Sequence, residues 1–106
     1  MTIDDPDNLN DEELRQRINL ETGQLNWSEL QRYFARGVVI LIDPQLDLVD
    51  VAVAFSNDDT PIVERWMKDK LIQPATDEDA LSWQDSAPQF WSVVVAPWVL
   101  IQLIQT

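Results

Sequence analysis

Three aspartates, Asp43, Asp47 and Asp50, are the residues of this chain whose type and spacing come nearest to a chemical site. Their offsets of four and three would bring carboxylates to one side of a helix or strand end, and hard cations such as Mg²⁺ or Ca²⁺ take oxygen ligands of this kind. They are therefore the metal candidates. The plainer account is that Asp43 caps a turn with Pro44 while Asp47 and Asp50 form a solvated helix face, since no glycine-containing calcium loop surrounds them. A hydrolase with paired carboxylates would also need two acids of different environment in one cleft. A second polar run, Asn57, Asp58, Asp59 and Thr60, precedes a helical pattern and reads as its start, with Thr60 as the cap.

Absences decide more than these clusters do. The chain has no cysteine and no histidine, which removes disulfides, thiolate nucleophiles, imidazole acid–base chemistry and the usual zinc ligands together. Gly23 and Gly37 are the only glycines, and no phosphate loop or dinucleotide fingerprint can be drawn through them. No nucleophile motif surrounds any serine, threonine or lysine. The repertoire argues against an enzyme and implies no cofactor.

Charge narrows the partners. With 19 Asp and Glu against 7 Lys and Arg the formal net charge is −12, a field that repels phosphate backbones and anionic bilayers. Direct binding of nucleic acid or of a membrane is disfavoured; the acidic surface either meets a basic partner or simply maintains solubility, the second being the default. Arg15, Arg17, Arg32 and Arg36 concentrate in the first third of the chain, either as a local cationic patch or paired with Glu13, Glu21 and Glu29. The amino terminus lacks the basic start and apolar run of a secretory signal, so a cytoplasmic location is expected. The most apolar stretch, residues 90–104, falls short of the ~20 apolar residues that a membrane span needs.

The elements that must position these residues can be read in outline. A chain of 106 residues, 45% hydrophobic and with five tryptophans, is long enough for one core and buries roughly two thirds of its unfolded surface. Residues 1–8 are acidic, carry Pro6 and show no periodicity, and read as a mobile tail before a single domain over 9–106. Asn10 and Asn26, each with Glu three residues later, write two helix starts. The first helix is expected to stop at Gly23 in the left-handed conformation, and the two helices to pair antiparallel. Val38–Ile42 is apolar on both faces and reads as a central strand. Residues 46–55 fit both periods and are assigned to a helix.

Further along, a helix follows Thr60, residues 71–74 read as a short strand that Pro74 either puts at a sheet edge or ends, and Thr76 opens another helix closed by Pro88. Residues 90–104 read as one strand broken or bulged at Pro97, its far part pairing at an edge or with another subunit. The resulting class is α+β, with about five short helices packed around a small sheet of three to four strands. Trp27, Trp66, Trp83, Trp91 and Trp98 all fall on expected inner faces. Trp91, Trp98, Leu100, Ile101 and Leu103 are also interface candidates, because an apolar end segment leaves an edge to be covered, most simply in a two-fold homodimer.

The chain also resembles a bacterial family catalogued as domain of unknown function 2288. The resemblance rests on Leu20-Glu21-Thr22, on Trp27 to Arg32 with Phe34 to Gly37, on Asp43-Pro44 with Leu46 to Val49, and on Val93 to Val99. It implies one small domain and brings no activity or site residues. The functional expectation is a non-enzymatic binding or regulatory module that self-associates through its apolar C-terminal segment. The alternatives are a metal-dependent enzyme using the aspartates and an acidic mimic of nucleic acid that occupies a basic protein.

Overall fold

Local capping chemistry starts the helices where the sequence places them. The computed structural model describes residues 10–104, so the expected tail at 1–8 lies outside the described residues. In α1 (Asp11–Glu21) the Asn10 side chain accepts a hydrogen bond from the Glu13 amide. In α2 (Trp27–Ala35) Asn26 and Glu29 form a reciprocal capping box. Three further helices follow: α3 (Leu48–Ser56), α4 (Thr60–Lys68) and α5 (Asp77–Ser86). Thr76 and Asp79 make a second capping box at α5. At α4 the cap is Asp59 rather than Thr60, which becomes the first helical residue.

The sheet has five strands, one or two more than expected. They are β1 (Gly23–Asn26), β2 (Val39–Ile42), β3 (Ile72–Pro74), β4 (Gln89–Val95) and β5 (Trp98–Leu103), in the order β1-β4-β5-β2-β3. β2 and β5 run parallel, and the other pairs are antiparallel. β1 stands where a left-handed stop was expected. Thr22 closes α1 by itself, its hydroxyl donating to the Ile18 carbonyl and its amide to that of Asn19, so Gly23 passes straight into the strand.

The C-terminal run is also corrected. It forms two strands, with the chain reversed at Ala96–Pro97, whose peptide bond is cis, and Val95 set opposite Trp98. β5 then lies inside the sheet between β4 and β2, not at an edge. Its residues fit that place, because Val99 and Ile101 are buried on one face and Leu100 on the other, the two-sided apolar pattern of a central strand. β3, ending in Pro74, is an edge strand as its proline requires.

Alternating side chains give the sheet two apolar faces and the molecule three layers. Ile40, Ile42, Ile72, Val93 and Leu100 pack against Ile18 of α1 and Leu48, Val51 and Ala52 of α3, with Val63 and Trp66 of α4 at the margin. Val39, Phe90, Val99 and Ile101 pack on the other face against Trp27 and Leu30 of α2 and Trp83 of α5. Trp83 joins Trp27 and Phe90 in an aromatic cluster, its ring centroid 5.6 and 4.9 Å from theirs. The expected pairing of α1 with α2 is therefore wrong. Strand β1 intervenes at the sheet edge and delivers the two helices to opposite faces, where α1 packs on α3. Among the described residues no helix is long and apolar enough to cross a membrane.

Candidate binding groove

The fold gives each of the three aspartates a local role. Asp43 lies at the end of β2, where its carboxylate accepts a hydrogen bond from the Gln45 amide at 2.8 Å. It borders a small cleft shared with Lys70 and Leu103. Asp47 caps α3 through the amides of Val49 and Asp50 and borders a different, polar cleft with Glu12 and Arg15. Asp50 pairs with Arg15 of α1. Each carboxylate thus has a structural partner of its own, and among the described residues no group of three or more acidic side chains is arranged to hold a metal ion.

The arginines do not form one patch either. Arg15 and Arg17 belong to α1, where Arg17 pairs with Glu21 at 3.5 Å. Arg32 belongs to α2 on the opposite face of the sheet, with its guanidinium 4.9 Å from the Tyr33 ring centroid and donating to the Tyr33 hydroxyl. Of the interface candidates, Leu100 and Ile101 are fully buried in the two cores and Leu103 is half-buried. Trp91 and Trp98 remain exposed, at 39% and 37%. Both edges of β5 are paired, so no free strand edge is available there.

The concave surface that gathers unpaired apolar side chains lies at the other end of β2 from Asp43. The strand β4 ends here, β5 and β2 begin, and β3 finishes at Pro74. On the face covered by α3 and α4, this corner of the sheet leaves a groove of about 490 Å³. Ile40, Pro74, Val95 and Trp98 form its floor. Ala54 and Phe55 of α3 with Val63 and Met67 of α4 form one wall, and Pro97 closes the turn end. Its size lies within the ~300–1,000 Å³ of ordinary ligand sites.

One rim of the groove is acidic. Asp58, Asp59 and Thr60 border it, and no Lys or Arg is among its lining residues. The backbone explains their position. The Asp58 amide donates to the Phe55 carbonyl and the Asp59 amide to that of Ala54, the paired bonds that end a helix with a left-handed residue, here Asp58 at φ +54°. The same two residues that terminate α3 and cap α4, where the Asp59 carboxylate accepts from the Ile62 amide, therefore border the mouth.

Met67, 48% exposed, and Trp98, 37% exposed, both line this groove. Leu20, Leu81, Trp91 and Val94 are also exposed but line no part of it. Single apolar residues on a surface need no explanation, whereas two large ones converging on an apolar concavity do. Sequence reasoning placed Trp98 on an inner face and among the interface candidates without joining it to Met67. The signal available was Pro97, since strand patterns on both sides of a proline are compatible with a hairpin that folds Trp98 back beside Val95.

Comparison with known proteins agrees with this architecture. Among curated proteins no match is found. The NMR solution structure of PA1075 from Pseudomonas aeruginosa is similar, with a TM-score of 0.77 and 37% sequence identity over 89% of this chain and 87% of that one. The family model described as "Protein of unknown function (DUF2288)" matches residues 13–103. A match that spans nearly every described residue means that the chain belongs to this family.

Proposed function

We propose that the chain is a small cytoplasmic binding module without catalytic activity, and that the groove beside Met67 and Trp98 is its working surface. The observation that carries this reading is the convergence of exposed large hydrophobics in an apolar concavity with an acidic rim. Methionine adapts to irregular partners, and tryptophan is the residue most often found to anchor an interface. The turn, capping and ion-pair roles of Asp43, Asp47 and Asp50 account for these carboxylates without a metal-dependent reaction.

Site-specific photocrosslinking tests the proposal. A benzophenone amino acid placed at Met67 should form covalent adducts in the cells that make the protein. The same group at Leu81, exposed on α5 across the sheet, should not. Absence of adducts from Met67, or equal yields from both positions, would remove the groove as the working surface.

A further inference from the structure

We infer that the occupant of the groove is a basic amphipathic segment of another protein, its apolar side set on Phe55, Met67 and Trp98 and its Lys or Arg residues facing Asp58 and Asp59. The inference rests on the reading of the groove as a binding surface and adds the chemistry of what binds. Three observations carry it. The lining is apolar in its floor and long wall, so an occupant must offer apolar side chains. Among the described residues the only charged ones at its border are Asp58 and Asp59, so an occupant with cations beside its apolar side gains where an anion would lose. The groove is a half-open concavity rather than a closed cavity, so an occupant keeps one side in solvent, as a segment laid on a groove does.

Charge also sorts the other occupants. A second copy would bring another formal charge of −12 to an acidic rim. The amino-terminal residues of this chain carry Asp4, Asp5 and Asp7 and would add like charge to the same place. A neutral apolar molecule would leave both carboxylates without a counter-charge. A cationic polypeptide segment satisfies the lining and the rim together, and the negative field of the whole molecule steers it inward.

The test uses the full chain and three synthetic amphipathic helices of about five turns that share one apolar face and carry lysine, glutamine or glutamate on the polar face. Binding is followed by anisotropy of a labelled peptide. The lysine peptide should bind more tightly than the glutamine peptide, the glutamate peptide should not bind, and added salt should weaken the lysine peptide alone. Asp58→Asn with Asp59→Asn should lower its affinity by roughly fivefold, the size expected for two exposed ion pairs. Asparagine keeps both the left-handed turn and the helix cap, so this variant should fold.

Glu78→Gln with Asp85→Asn, which removes equal charge from exposed positions on α5, should leave affinity within about twofold, the margin set by screening of distant charges. Met67→Gln should weaken the lysine and glutamine peptides alike. Equal binding of the lysine and glutamine peptides, or equal effects of the rim and α5 variants, would overturn the charged occupant and leave the groove standing. No peptide binding alongside persistent Met67 crosslinks would overturn the polypeptide occupant. A concentration-dependent dimer abolished by Met67→Gln would assign the groove to a second copy and overturn the inference. Loss of the Met67 crosslinks would take the groove itself with it.

Discussion

Gln102 reaches from β5 to the loop between β2 and α3, its amide donating to the carbonyls of Asp43 at 3.0 Å and Leu46 at 2.7 Å. Asp43 is therefore held in place through its backbone by a residue 59 positions away, while its carboxylate serves the turn. Replacing Gln102 with methionine keeps the volume and removes the donor, leaving the Leu46 carbonyl without this bond. The expected cost is about 1–3 kcal/mol by urea denaturation, with faster hydrogen exchange at the amides of the 43–47 loop. Unchanged stability and exchange would show that the loop holds without the amide. Trp27 presents the converse case. Its indole nitrogen is buried with no hydrogen-bond partner, while its ring packs edge-on to Phe34 with centroids 5.8 Å apart. Trp27→Phe removes an unsatisfied donor along with some volume, and its cost should stay below ~1.5 kcal/mol, against ~3–5 kcal/mol for Trp27→Ala. A Phe variant as unstable as the Ala variant would mean that the indole nitrogen contributes a bond after all.

At the scale of elements, helix ends show what was legible and what was not. Asn10, Asn26 and Thr76 were readable as caps because a cap needs only residues within one turn. Helix α3 was assigned over a competing strand pattern, and Pro74 allowed β3 either to lie at an edge or to end there, both of which hold. The strand β1 was not, since Gly23-Gln24-Leu25-Asn26 has no apolar alternation and its partners Gln89–Ser92 lie far along the chain. The parallel pairing of β2 with β5 was hidden for the same reason, and with it the meeting of Ile40 and Trp98 in the groove. Left-handed helix ends were only partly readable. Gly37 ends α2 at φ +74°, but Asp58, Lys70 and Ala87 take the same conformation without being glycine. A Cβ disfavours that region by about 1–2 kcal/mol, so Ala87→Gly should stabilise the protein by about 1 kcal/mol and raise Tm by several degrees. Gly37→Ala should cost a similar amount through the backbone alone, because an added Cβ there meets nothing within 4 Å. A destabilised Ala87→Gly variant would indicate that α5 ends differently in solution.

For the molecule as a whole, charge is the feature that joins stability to recognition. A formal charge of −12 on 106 residues stands beside two ion pairs among the described residues, Arg15–Asp50 and Arg17–Glu21. Both are solvent-exposed and each contributes at most about 1 kcal/mol. The remaining carboxylates repel one another across the surface, and folding brings them closer than they stand in the open chain. Screening should therefore favour the folded state. Tm should rise by a few degrees as sodium chloride goes from about 0.01 to 0.15 M, where the Debye length falls from ~30 to ~8 Å. Chloride is the proper salt for the measurement, because sulfate stabilises most proteins through exclusion from their surface. The same addition of salt should weaken the lysine peptide at the groove, since there the field is attractive. Stability and affinity should thus move in opposite directions over one titration. Two curves that fall together would mean that self-repulsion is not what limits the fold, and the acidic surface would then need an explanation other than recognition at the cost of stability.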